Sequence, residues 1–529
     1  MNIGHSLCFD DVLMEPLLSK ISTRSSINLE SNIATNGRTL ILKTPLISSP
    51  MDTVTETDMA IKMALNGGIG IIHRFMDIDD QVSQITKVKR FLQYIIQEPY
   101  KIVPTTTFIE IEDLCNLYNV STFCVVDNIN TNKLLGIITK RDIEYMKQKQ
   151  YEIKTTTSYC DGINGIHYND IDNDNDNDII LEVNNFMTQN VITVDINMTL
   201  HSLETTLSIA KELMLERKIE KIPIVNNGIL VGLITLNNIK HYENNKSKAC
   251  IDTNGSLCVG AAIGIVDDYM ERLDKLISVG VDLICIDVAN GFNENVFKTI
   301  ILIREKYKEI VLMVGNVCNW QGYQALCNYD VDCIRIGVGN GSICTTRLET
   351  GIGKGQFSAV YECFRYKVEY NTQPHIICDG GSLGKTGNKV KALACGASAI
   401  MLGRTLASTE ESPGTIIYRN GKRFKYIRGM ASTMANISKQ EKTETKTNKT
   451  NNTKLKTKFT AEGVDGEQEL TGSVVDVIEQ INGGVKSGLS YLGSENINQL
   501  HDKSYKGEIK FNLVTSIGMS ETGIRVKTY

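Results

Sequence analysis

Short runs of continuous apolar character, each closing on Gly, Asp, Asn or a basic residue, recur along the chain. They are PLISSPMD (45–52), GGIGIIHR (67–74), LCVGAAIG (257–264), LICIDVANG (283–291), IVLMVGNV (310–317), CIRIGVGNG (333–341), HIICDGG (375–381) and AIMLGR (399–404). Runs without polar alternation suit strands buried on both faces. Several intervening stretches carry helical spacing instead. DDYMERLDKLISVGVD (267–282) gathers its apolar residues on one helical face, with Gly280 near its end. Strand, helix, strand is the βα repeat of a parallel sheet. Eight such strands favour a closed barrel over an open sheet, an α/β fold of the (β/α)8 TIM type. In that barrel the C-terminal ends of the strands carry the chemistry, and the residues closing these runs fall there. The plainer alternative is that they only turn the chain.

Residues 99–244 follow a different pattern, present twice. FCVVDNINTNKLLGIITKRDI (123–143) and KIPIVNNGILVGLITLNNI (221–239) each read strand, turn, strand, then G-[IL]-I-T leading into a helix. An internal repeat marks two copies of one module. The copies resemble CBS domains, which pair and bind adenine or guanine nucleotides. The first copy keeps Thr139 and Asp142, whose carboxylate suits a ribose hydroxyl. The second has Thr235 but Asn238, and an insert without ligand is the competing reading. The expected layout is a barrel over 1–98 and 245–529 with a tandem CBS insert at 99–244. KQEKTETKTNKTNNTKLKTKFT (439–460) has almost no apolar residue to bury, so it reads as a mobile flap over about 433–465.

Composition narrows the partners. The chain has 529 residues, 42% of them apolar, which supports a large core. A net charge of −5 and a single Trp give neither a basic footprint nor a stacking platform for nucleic acid. No apolar run reaches the ~18 residues of a membrane span. The start, MNIGHSLCFDDVLMEP, lacks the basic and apolar regions of a signal peptide, so the expectation is a cytoplasmic protein. The 14 cysteines are scattered with no CxxC pair, which suits reduced thiols.

One cysteine stands apart. In GVGNGSICTTRLETGIG (337–353), Cys344 follows Gly339, Gly341 and Ser342 just past an apolar strand. Backbone N–H groups on such a turn and neighbouring hydroxyls can assist a thiolate. Cys285, Cys333 and Cys378 lie inside apolar strands and read as core. The two readings of Cys344 are a nucleophile at a barrel mouth and one more packed thiol.

FDDVL (9–13), SSPMDTVTE (48–56), GGIGIIHR (67–74), GNV (315–317), GVGNGSICTTR (337–347), DGG (379–381) and RGMAS (428–432) resemble the IMP dehydrogenase/GMP reductase family along nearly the whole chain. A CBS pair inserted in the barrel is also the usual layout of the dehydrogenase. The resemblance implies that Cys344 adds to C2 of a purine nucleotide, forming a thioimidate. Ser342, Gly380, Gly381, Gly403 and Arg404 would surround the nucleotide phosphate, and Asp379 would take the ribose hydroxyls. Ser49, Met51, Asn316, Gly429, Met430 and Ala431 would complete the nucleotide site. Asp287, Asn290, Gly337 and Gly339 would face a nicotinamide cofactor. Carbonyls of Gly339, Gly341 and Cys344 resemble the family's monovalent-cation site, a place for K+. The usual aromatic two residues before Gly429 is Ile427 here. Family members form homotetramers, which CBS pairs can join into octamers.

Two reactions share that intermediate. The dehydrogenase takes IMP, NAD+ and water to XMP, using an Arg-Tyr pair of the flap to activate water. No Arg lies between Arg428 and Arg525, so that pair is missing. The reductase takes GMP and NADPH to IMP and ammonia, using a Thr/Glu dyad that Thr346 and Glu462 match. DVANGF (287–292), TTRLETGIGKGQFSAVYEC (345–363) and RNGKRFK (419–425) are similar to reductase stretches. The CBS pair, TEESPG (409–414) and SVVDVIEQINGGVKSGLSYLG (473–493) look like the dehydrogenase, and Phe459 stands where the reductase has an arginine. The expectation is a GMP reductase. An IMP dehydrogenase relying on Thr346 and Glu462, and a nucleotide-binding regulator without turnover, are the alternatives.

Overall fold

The computed structural model describes residues 4–92, 94–96, 98–118, 120–160, 181–196, 203–266, 268–381, 384–430, 461–515 and 518, the side chains of 154–160 and 203–204 aside. Two compact units emerge. One comprises Met1–Leu92, Asn245–Asp252 and Ser256–Tyr529, the other Gln93–Asn244 and Thr253–Gly255.

The first unit is a closed barrel of eight parallel strands. In chain order they are β1 (Leu46–Ser48), β2 (Ile69–Ile72), β3 (Val259–Ile263), β4 (Leu283–Asp287), β5 (Val311–Val317), β6 (Cys333–Ile336), β7 (His375–Asp379) and β8 (Ala399–Leu402). Each falls within one of the eight apolar runs. Neighbours in sequence are neighbours in the barrel, and β8 pairs with β1 to close it. The strands are mostly apolar because both faces are covered. Ile47, Ile69, Ile71, Leu283, Cys285, Met313, Cys333, Ile377 and Met401 pack together inside. Leu46, Ile72, Ile284, Ile286, Ile334, Ile336, Ile400 and Leu402 join the helices in the larger outer core.

The outer ring includes α1 (Thr57–Leu65), α2 (Ile78–Phe91), α3 (Tyr269–Ser278), α4 (Glu294–Lys306), α5 (Trp320–Cys327), α6 (Gln356–Glu369) and α7 (Thr386–Ala394). After α3 the chain reverses through Gly280 at φ +80°, a conformation that glycine adopts without Cβ strain. At the floor of the barrel Asp332, fully buried, accepts from Arg38 Nε at 2.9 Å, Arg304 Nη2 at 2.8 Å and the Leu312 N–H at 2.8 Å. The pairing keeps a buried carboxylate tolerable.

Beyond β8 a three-stranded antiparallel sheet stands over the mouth: β9 (Ile416–Arg419), β10 (Lys422–Arg428) and β11 (Asp465–Glu469). Helices α8 (Val474–Tyr491) and α9 (Ile497–Tyr505) then return to the barrel wall.

The second unit holds two three-stranded sheets of matching order. Lys101–Ile102, helix Phe108–Tyr118, Phe123–Val126, Leu134–Ile138 and helix Lys140–Cys160 form one series. Val194–Asp195, helix Leu203–Arg217, Lys221–Asn226, Ile229–Thr235 and helix Leu236–Lys246 form the other. The repeat visible in the sequence is thus a repeated strand–helix–strand–strand–helix module.

Candidate active site

Cys344 lies on the loop that follows β6. Gly337 opens that loop at φ +149°, and a Cβ there would stand 2.3 Å from the Asp379 carbonyl, so no larger residue fits. The Cys344 N–H donates to the Gly341 carbonyl at 3.1 Å. Residues 461–464 pair antiparallel with the loop. The Thr345 N–H donates to the Glu462 carbonyl at 2.9 Å, and the Val464 N–H to the Ile343 carbonyl at 3.0 Å. The Gly429 N–H donates to the Val464 carbonyl at 3.1 Å, joining the end of β10 to the same seam.

This pairing brings two distant side chains together. Thr346 Oγ1 donates to Glu462 Oε2 at 2.7 Å, and its oxygen stands 3.2 Å from Cys344 Sγ. With its proton committed to the carboxylate, the hydroxyl can accept from the thiol. Thiol, hydroxyl and carboxylate form one line along which a proton can pass. Cys344 is half-buried, whereas burial pushes Cys285 up to about 11 and Cys378 up to about 12. Those thiols are sealed in the protonated form. Arg347 turns away, bonding the Lys354 carbonyl and packing against Gly339 and Gly353.

Four polar residues converge beside the loop. Asn316 donates from Nδ2 to the Gly337 carbonyl at 2.7 Å and to Asp379 Oδ2 at 2.9 Å. Arg335 Nη2 stands 3.3 Å from the same Asp379 oxygen, and Nη1 2.9 Å from Asp287 Oδ1. Burial opposes the charge on Arg335, but Cys285, Asp287 and Asp379 around it raise its pKa above the ordinary value. Sequence reasoning passed over Arg335, although a lone charge inside CIRI was the available signal. It also passed over Asn340 and Gln356. Asn340 bonds Gln356, and both donate to the Asp379 carbonyl, at 2.9 and 3.1 Å. Gly380 and Gly381 turn there at φ +77° and +87°.

Gly403, Ser49 and Met51 meet where β8 and β1 end. A Cβ on Gly403 would lie 3.1 Å from Ser49 Oγ and 3.3 Å from Met51 Sδ. Ser49 Oγ is buried without a hydrogen-bond partner among the described residues. Arg404 is exposed and donates from Nε to Gln468 Oε1 of β11 at 3.2 Å. Ser342 is exposed on the cysteine loop. Met430 Sδ accepts from the Asp52 N–H at 3.4 Å, and Arg428 Nε pairs with Asp52 Oδ2 at 2.8 Å. Beside that pair opens a cavity of about 350 Å³ lined by Asp52, Glu56, His73, Gln84 and Arg428 among others. Asn290 is exposed, its Oδ1 accepting from the Phe292 N–H at 3.1 Å. Ile427 is buried in the outer core. Ala431, Phe459 and most of the expected flap lie outside the described residues.

Of the three carbonyls suggested for K+, that of Gly341 already accepts the Cys344 N–H and keeps one lone pair. Among the described residues no group of three or more His, Cys, Asp or Glu could hold a metal ion. None of their helices is long and apolar enough to cross a membrane. In the second unit, Asp142 Oδ2 accepts from the Thr139 N–H at 2.8 Å and its hydroxyl at 2.6 Å. Asn238 Oδ1 accepts from the Thr235 N–H at 3.1 Å. Both motifs therefore cap the helix that follows.

A half-buried thiol, a hydroxyl–carboxylate pair and two carboxylates thus meet at the mouth of a (β/α)8 barrel, where barrel enzymes carry their chemistry. The profile described as "IMP dehydrogenase / GMP reductase domain" matches residues 6–525. Inosine-5'-monophosphate dehydrogenase of Nitrosopumilus maritimus is 36% identical over 95% of this chain and 96% of its own. That of Bacillus subtilis is 35% identical over 98% and 94%. The crystal structure of a Cys→Ala variant of GMP reductase from Trypanosoma brucei, in complex with guanosine 5'-monophosphate, superposes with a TM-score of 0.79 at 31% identity, covering 99% of each chain. The chain belongs to the IMP dehydrogenase/GMP reductase family. It is an oxidoreductase of purine nucleotide metabolism, from a family that works with nicotinamide cofactors.

Proposed function

We propose that the chain is a GMP reductase, converting GMP, NADPH and a proton to IMP, NADP+ and ammonia. The observation that carries this reading is the unbroken line from Cys344 through Thr346 to Glu462 in a chain with no Arg between Arg428 and Arg525 to form the dehydrogenase's Arg-Tyr pair. Cys344 Sγ adds to C2 of GMP as its proton passes through Thr346 to Glu462. A proton passes from Glu462 through Thr346 to the departing amine, the C2–N bond breaks, and a thioimidate remains. NADPH supplies the hydride that C2 receives. The C–S bond then breaks, leaving IMP and the free thiolate. Asp379 accepts the ribose hydroxyls, with Asn316 fixing one of its oxygens. The phosphate lies among Ser342, Gly380, Gly381, Gly403 and Arg404, where backbone N–H groups approach closely. Ser49, Met51, Gly429 and Met430 line the rest of the nucleotide site.

The residues assigned to the cofactor fit such a group. Asp287 spends Oδ1 on Arg335 yet keeps 18% of its side chain exposed at the mouth. Asn290 and the backbone at Gly337 and Gly339 complete that side. K+ would sit on the carbonyls of Gly339, Gly341 and Cys344, steadying the loop.

The second reading is an IMP dehydrogenase, favoured by the names of the relatives at 35–36% identity. It would need Thr346 and Glu462 to activate water without the flap's Arg-Tyr pair. One assay separates the two. Purified protein should oxidise NADPH with GMP and leave NAD+ unreduced with IMP, both followed by absorbance of the reduced nicotinamide. Reduction of NAD+ by IMP with no consumption of NADPH by GMP would reverse the assignment.

A further inference from the structure

Asp287, Gly315 and Arg335 are register partners on three adjacent strands, β4, β5 and β6. Residues at one level of a parallel sheet face the same side. Gly315 has no side chain, and a Cβ there would lie 2.5 Å from that of Arg335. The gap lets the Arg335 guanidinium cross over β5 to Asp287 Oδ1, at 2.9 Å. Its other terminal nitrogen stands 3.3 Å from Asp379 Oδ2 on β7. One planar fork therefore spans β4 to β7. The Arg335 side chain is 7% exposed, against 18% for Asp287 and 22% for Asp379. The two carboxylates reach the mouth while their tie lies beneath.

The geometry points to Arg335 as a positioning residue that couples nucleotide binding to cofactor binding, by holding the carboxylates of Asp287 and Asp379 on one guanidinium. This rests on the reading that Asp379 takes the nucleotide and Asp287 the cofactor. A ribose diol seated on Asp379 fixes that carboxylate, and through Arg335 fixes Asp287. The cofactor then meets a group already ordered and loses less freedom on binding. The effect is reciprocal, since each ligand tightens the other by the same factor. Lysine cannot substitute, because a single compact ammonium lacks the fork that serves two carboxylates at once.

The test measures nucleotide affinity of the full-length protein by calorimetry, with and without saturating oxidised cofactor. GMP with NADP+ and XMP with NAD+ are the pairs used, since neither can transfer hydride. In the wild-type protein one pair should show tightening of about tenfold. In Arg335→Lys that tightening should fall below about twofold, with nucleotide affinity in the absence of cofactor changed by less than about threefold. Arg335→Gln, which can serve one carboxylate but not two, should lose the tightening equally, and decides the matter if Arg335→Lys does not fold. Coupling that survives in both variants overturns the inference, as does a wild-type protein with none for either pair. So does a loss of affinity as large without cofactor as with it. Coupling confined to XMP and NAD+ upholds the role of Arg335 and overturns the reductase reading instead.

Discussion

Thiols are plentiful in this chain, and what separates one from the rest is its neighbours. Cys344 has a hydroxyl at 3.2 Å and, through it, a carboxylate, while Cys285 and Cys378 are fully buried, with an Arg335 and a Gln356 N–H at 3.3 and 3.5 Å. Cys344→Ala removes only the sulfur and leaves the Thr346–Glu462 bond in place. Turnover should fall by about a thousandfold or more, with GMP affinity held within about threefold. Mass spectrometry should find the nucleotide adduct on the wild-type protein alone. Glu462→Gln keeps an oxygen for the Thr346 hydroxyl but has no proton to give. Release of ammonia should slow by roughly a hundredfold while GMP binding stays nearly constant, in a single-turnover experiment. At this scale the sequence spoke through short motifs. Cys344, Asp379 and the Gly380–Gly381 turn stand in recognisable strings. Arg335, Asn340 and Gln356 do not, because their value lies in whom they meet. Gln356 is nearly fully buried and reaches the Ile336 carbonyl at 2.7 Å, a contact that no local pattern announces.

Among elements, the strands of the barrel were legible because burial on both faces demands unbroken apolar runs, and turns demand the glycines between them. β10 was not. Its sequence KRFKYIR buries only Lys425 and Ile427, and one of those two is a lysine, which leaves little hydrophobic signal. Nor does any pattern show that residues 461–464 will pair with 343–345, a union across 116 positions for the Thr346–Glu462 bond. The turn at Gly381 permits a direct check on element packing. Its φ is +87°, and a Cβ would stand 2.4 Å from Gln356 Cγ at the start of α6. Gly381→Ala should cost about 1–3 kcal/mol, seen as a lower urea midpoint with unchanged slope.

For the whole molecule, acid should be the sensitive direction. Burial pushes His375 and His501 both down to about 4. His375 Nδ1 lies 3.1 Å from Ser398 Oγ, and His501 Nε2 lies 3.1 Å from the Ala397 carbonyl, so β7 and α9 share the burden. The unfolded chain takes up these protons near pH 6.5, and the folded one does so only near 4. Stability is full above pH 6.5 and is lost as pH falls through that window, on the order of 2 kcal/mol for each histidine by pH 4. His501→Gln should flatten the decline when urea midpoints are compared between pH 7 and pH 4.5. The seam at the mouth has a further consequence. Gly429 and Val464 are one hydrogen bond apart, so the stretch of chain between them departs and returns at a single point. Closing a longer excursion costs only about 0.6 kcal/mol per doubling of its length. Evolution is therefore free to lengthen, shorten or rewrite that stretch while Glu462 is still delivered to the same spot, which makes it the natural place for one barrel to diversify its chemistry.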